Sequence, residues 1–113
     1  MVLLKFKPGT QVDLLDSAII PGLVAFITLM ESALDVNKLI VTSVNDGVHK
    51  SGSLHYQGRA IDFRSKIYPR ERLEHVVAEF RKLYSADYQL LWEHPGQPNE
   101  HLHLEYDVGN KNR

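Results

Sequence analysis

A chain of 113 residues, 43% hydrophobic and 24% charged, has the make-up of one soluble globular domain, and at this length it buries roughly two-thirds of its unfolded surface. Thirteen Lys and Arg against fourteen Asp and Glu leave a net charge of −1, which excludes the basic footprint of a nucleic-acid or anionic-membrane binder. Cysteine is absent, so no disulfide holds the fold and any metal site must be built from histidine and carboxylate.

In chain order, Met1 to Pro8 lacks the apolar core and small-residue cleavage site of a signal peptide. Leu3-Leu4-Lys5-Phe6-Lys7 reads either as a short strand closed by Pro8-Gly9 or as a loosely attached terminus. Asp16 and Ser17 are good N-cap types, and a helix is expected from about Ile20 to Leu34, with Pro21 in its first turn, where a missing N–H costs nothing. Leu23, Phe26, Ile27, Met30 and Leu34 recur at helical spacing and read as core. The apolar run Ala18 to Met30 is too short, and too broken by Pro21-Gly22, to span a bilayer. The expectation is synthesis in the cytoplasm with no membrane partner.

Leu39 to Val44 is a strand by its β-branched content, ended by the turn signal Asn45-Asp46-Gly47. A polar, glycine-containing loop follows to residue 54, and Ala60 to Arg64 alternates as a strand. Tyr68-Pro69 starts a second helix whose stripe is Leu73, Val76, Val77, Phe80 and Leu83, with His75 beside it as a surface histidine. Tyr88 to Glu93 and His101 to Tyr106 are two further strands. The loop between them contains Pro95, Gly96 and Pro98, which predicts an antiparallel hairpin. Residues 109–113 form a polar tail. The expected fold is a single α+β domain, a small antiparallel sheet covered on one face by helices.

Strand alternation puts His101, His103 and Glu105 on one face of their strand and Leu102, Leu104 and Tyr106 on the other. The leucines need a core, so the histidines face away from it. By the same alternation Asp62 turns away from Ile61 and Phe63. One sheet therefore presents an aspartate and two histidines on a common face. A catalytic zinc site takes three protein ligands and keeps one position open. Asp62 and His103 supply two, and His55 is the natural third, with Gly58 allowing a sharp turn between His55 and Asp62. Spacing alone also fits a solvated polar face without metal.

The set Ser53-x-His55-x-x-Gly58-x-Ala60-x-Asp62, followed by His101-x-His103, resembles the signature of the M15 family of zinc peptidases. These are D-alanyl-D-alanine carboxypeptidases and L-alanyl-D-glutamate endopeptidases, phage endolysins among them, and the Hedgehog signalling domain shares their fold. The resemblance spans roughly residues 14–107. It implies the Hedgehog/DD-peptidase fold and one zinc ion held by His55, Asp62 and His103. It implies Glu100 as general base, with Glu93 as the alternative, and His101 as the group that stabilises the oxyanion or orients substrate. Ser53, Tyr56 and Arg59 would contact substrate. The family's arginine after the strand Val41-Thr42-Ser43-Val44 is replaced by Asn45 or a neighbour, and Arg59, Arg64, His49 and Lys50 are the candidates to stand in for it. The implied activity is hydrolysis of peptide bonds in peptidoglycan stem peptides by a monomer that reaches the bacterial cell wall without a signal peptide of its own. The alternative is a non-catalytic metal-binding module of the same fold.

Overall fold

The computed structural model describes residues 2–12, 15–44, 58–83 and 87–107. The turn Asn45-Asp46-Gly47, His49, Lys50, Ser53, His55, Tyr56 and the tail 109–113 lie outside the described residues. Among the described residues, five strands and two helices follow in the order β1 (Leu3–Phe6), α1 (Ile20–Leu34), β2 (Lys38–Ser43), β3 (Ala60–Phe63), α2 (Arg70–Leu83), β4 (Tyr88–Glu93) and β5 (His101–Tyr106). They form an α+β domain around one sheet with the order β1-β2-β3-β5-β4.

The sheet is mixed, which corrects the expectation of an antiparallel one. β1 pairs parallel to β2, with Leu3 opposite Lys38 and Phe6 opposite Val41, while the other neighbours pair antiparallel. The cause is the connection. A parallel pair needs a crossover of about a dozen residues or more, and α1 supplies it between β1 and β2. The segment Leu3–Phe6 is thus a paired strand and not a loose terminus.

Helix α1 begins as the sequence suggests. Asp16 accepts a hydrogen bond from the Ala18 N–H at 2.9 Å and caps a 3₁₀ turn, Ser17–Ile19, that runs straight into α1 with Pro21 in its first turn. The combined helical segment Ser17–Leu34 is long and apolar enough to cross a membrane by length and composition. Here Ile19, Leu23, Ala25, Phe26 and Met30 are buried in the core. The helix ends at Asp35 in the left-handed conformation, φ 52°, where its N–H still reaches the Glu31 carbonyl.

Both helices bury their apolar faces against one side of the sheet. Phe26 meets Phe63 with ring centroids 4.7 Å apart. Leu73, Val76 and Phe80 of α2 close over Leu90, Leu102 and Leu104, all at 1% exposure or less. Each such side chain contributes about 1.5–3 kcal/mol by leaving water, so this face fixes the strand register. Gly22 marks a close approach of helix to sheet. A Cβ there would lie 2.4 Å from the Tyr88 ring, which is held by its hydroxyl donating to the Ala18 carbonyl at 2.7 Å.

Candidate metal centre

The register that buries the leucines assembles the polar face. β3 and β5 pair with Ile61 opposite Leu104 and Phe63 opposite Leu102. Alternation then forces Asp62 opposite His103 on the far side. On the other flank of β5, Glu93 sits opposite His101. Next to β3, the pairing of β2 shifts between Val41 and Ser43 and brings Ser43 opposite Asp62. Such bulges bend a strand and re-aim its side chains. Asp62, His101, His103 and Glu93 therefore come from three strands to one point.

The donor atoms converge. One atom each from Asp62, His101 and His103 lies within 4.8 Å of the others. His103 Nδ1 is 2.9 Å from Asp62 Oδ1, and His101 Nε2 is 3.8 Å from the same oxygen. Glu93 Oε1 lies 3.1 Å from His101 Nε2 and 3.8 Å from His103 Nδ1. Tetrahedral bonds of about 2.0–2.1 Å put neighbouring ligand atoms roughly 3.3–3.4 Å apart, and these distances straddle that spacing. Asp62, His101 and His103 thus form a group that can hold a metal ion.

The outer nitrogen of each imidazole is fixed as well. His101 Nδ1 lies 2.8 Å from the Asn99 carbonyl. A carbonyl only accepts, so Nδ1 carries the proton and Nε2 faces the cluster. His103 Nε2 lies 2.8 Å from Glu105 Oε1, leaving Nδ1 toward Asp62. Histidines that bind metals usually donate their second N–H to a carboxylate or backbone carbonyl, which sets the tautomer and the ring orientation. Both histidines follow that pattern.

Without metal the same contacts hold protons. Burial pushes the His103 pKa down, but the hydrogen bonds to Asp62 and Glu105 outweigh it and raise the pKa to about 9. The hydrogen bond to Glu93 raises that of His101 against the opposing effect of burial. His101 in turn holds the Glu93 carboxyl below its ordinary value, again against burial. Carboxylates from three strands thus favour positive charge on both rings, at the position a dication would take.

The remaining predicted residues are distributed as follows. Ser53, His55 and Tyr56 lie outside the described residues. Asp62, His103 and His101 come together as alternation predicts, with Glu93 beside them. Glu100 does not join them. Its carboxylate accepts from the Ser65 hydroxyl and, at 2.8 Å, from the Gly96 N–H. Burial pushes its pKa up, yet these two bonds, the nearby Trp92 indole and the Arg70 charge bring it below the ordinary value. The indole N–H approaches that carboxylate without closing a well-formed hydrogen bond. Arg59 is held by Asp16 at 2.8 Å, with its guanidinium 5.7 Å from the Tyr106 ring centroid, away from the cluster. Its neighbour Gly58 has φ 68°; the turn expected between His55 and Asp62 falls largely outside the described residues. Arg64, His75 and His94 are exposed.

Sequence reasoning placed Glu105 on the histidine face and gave it no role. The signal was its position two residues after His103, which puts both side chains on one side of the strand. Comparison with protein-family models, with curated proteins and with solved structures finds no match to this chain.

Proposed function

We propose that this chain is a zinc-dependent peptidase that hydrolyses peptide bonds in peptidoglycan stem peptides, on a Hedgehog/DD-peptidase-like fold. One observation carries the reading: two imidazoles each turn one nitrogen to Asp62 and Glu93 while the other nitrogen is fixed by an outer oxygen. A solvated polar face has no need of that double constraint. The motif from Ser53 to Asp62 adds the substrate class through its resemblance to the zinc peptidases.

Asp62 and His103 would hold the ion, with His55 as the expected third protein ligand. When bound, zinc supplies Lewis acidity that polarises the scissile carbonyl and acidifies the attacking water. Glu93 takes the water's proton and delivers it to the leaving amine. We assign this role to Glu93 over Glu100 because its carboxylate is beside both histidines, 3.1 Å from His101 Nε2 and 3.8 Å from His103 Nδ1. Glu100 is instead tied to Ser65 and Gly96. In this role His101 is not a metal ligand: its Nδ1–H stays on the Asn99 carbonyl, and it would take a second proton on Nε2, shared with Glu93, to donate to the oxyanion.

The test is metal analysis of the purified protein followed by digestion of purified peptidoglycan by the wild type, Glu93→Gln and Glu100→Gln. The expected result is about one zinc per chain in all three, in line with a single mononuclear site. Turnover should fall roughly 10²–10⁴-fold in Glu93→Gln, the usual contribution of a general base, and should largely survive in Glu100→Gln. Loss of turnover in Glu100→Gln alone returns the base role to Glu100. Zinc without turnover on any wall preparation makes the chain a non-catalytic metal-binding module. Absence of bound zinc, with no gain in stability on adding it, refutes both readings.

A further inference from the structure

The geometry points to Glu105 as a positioning residue for His103: its carboxylate holds the Nε2–H of the ring and so presents Nδ1 to the metal. This rests on the metal reading above and extends it to a residue that neither touches the ion nor carries the motif. Three observations place it. Glu105 Oε1 is 2.8 Å from His103 Nε2, on the side of the ring opposite Asp62. Glu105 is two residues beyond His103 on β5, so both side chains rise from the same face. Its side chain is only 10% exposed, and its cross-strand neighbours are Ala60 and Gln89, neither of which carries a charge.

Burying a carboxylate is costly unless it gains strong partners. The imidazole N–H is such a partner, and a charge-assisted hydrogen bond to it is roughly twice as strong as a neutral one. Two consequences follow. The ring loses its freedom to flip, which would turn Nε2 toward Asp62 and change the donor geometry. The Nδ1 lone pair becomes more basic, because the carboxylate stabilises the positive charge that the ring acquires on binding a cation. A residue that merely filled space at this position would do neither.

The experiment compares Zn²⁺ affinity in the wild type, Glu105→Gln and Glu105→Ala by competition with a chromophoric chelator. It is paired with NMR detection of the His103 Nε2–H in the zinc-loaded protein. Glu105→Ala should bind zinc about 10–100-fold more weakly, the usual effect of losing such an outer partner. Glu105→Gln keeps an acceptor but not the charge, and should fall between. The wild type should show a slowly exchanging ring N–H resonance that weakens in Glu105→Gln and disappears in Glu105→Ala. If Glu105→Ala does not fold, the affinity and resonance of Glu105→Gln decide the matter alone. Equal zinc affinities and unchanged resonances overturn the positioning role while leaving the metal site standing. A wild type that binds no zinc overturns both.

Discussion

Metal loading should expel protons from this site, and the number can be worked out from His103. In the metal-free protein its ring lies between Asp62 and Glu105 with a pKa of about 9. At pH 7 the protonated form then outnumbers the neutral one by ~100 to 1. A metal must remove that proton to bind, so its apparent affinity at pH 7 is ~100-fold below the limit reached above pH 9. This amounts to about 3 kcal/mol. The hydrogen bond to Glu93 raises the His101 pKa as well, against burial. The sign for stability is opposite in the two forms. A raised histidine pKa stabilises the metal-free fold fully below its unfolded value of about 6.5 and loses that contribution as pH rises through about 9. The metal-loaded fold gains over the same window. Calorimetric zinc titrations at pH 7 in buffers of different ionisation enthalpy should therefore report about one proton released from His103 per zinc. The rise in Tm on adding zinc should grow between pH 6.5 and 9 by on the order of 15 °C, taking ~4–8 °C per kcal/mol for a domain of this size. A proton count near zero, with a zinc-induced Tm shift that stays flat across that window, would show that His103 is neutral in the metal-free protein and refute the reasoning.

Two further expectations concern the scaffold. Gly22→Ala puts a Cβ 2.4 Å from a Tyr88 ring that is pinned by Ala18 and packed against Tyr106. Urea unfolding should show a loss of about 1–3 kcal/mol from overpacking, and an unchanged midpoint would mean that the ring moves freely. Asp35→Gly relieves a left-handed cap at φ 52° and should raise stability by up to about 1 kcal/mol; a lower Tm would point to a contact of the Asp35 side chain that outweighs the backbone gain.

The parts legible in the sequence are those that depend on local periodicity. The α2 stripe from Leu73 to Phe80, the alternation of β3 and β5 and the Asp16 cap all rest on neighbours within one element, and each is where the residues put it; Leu83, expected to end that stripe, is instead exposed at the helix C-terminus. Pairing was harder to read. Leu3–Phe6 alternates poorly, and its direction relative to β2 is decided by the crossover through α1 and not by its own side chains. The choice between Glu93 and Glu100 shows the same limit. Glu100 stands three positions before His103 and matches the spacing of the resemblance. Where its carboxylate lies depends on how residues 94–100 turn. Glu93 looked remote along the chain, yet the hairpin register sets it directly opposite His101. Glu105 was on the correct face by alternation, but its hold on His103 is a matter of side-chain reach, which periodicity does not encode.

The hairpin also explains why so much of the site sits at one end of two strands. A slip of one residue between β4 and β5 would bring the other face of one strand into play, separating Glu93 from the histidines. Two constraints oppose that slip. On the helix side, Leu90, Leu102 and Leu104 are fully buried, and exposing any of them costs about 1.5–3 kcal/mol. At the loop end, Gln97 donates to His94 and Glu100 to Gln97, both at 3.0 Å, while Gly96 at φ 80° donates to the Glu100 carboxylate. Arg70 lies 5.0 Å from the Trp92 ring centroid and its charge also bears on Glu100, which ties the loop end to the start of α2. Glu100 thus acts on the cluster through the backbone, by closing the loop whose two ends are Glu93 and His101. On this account Glu100→Gln, which keeps one acceptor oxygen for the Gly96 N–H and can turn its NH2 to the Ser65 hydroxyl as donor, preserves the site, whereas shortening to Glu100→Ala loosens the loop and displaces Glu93 and His101 together.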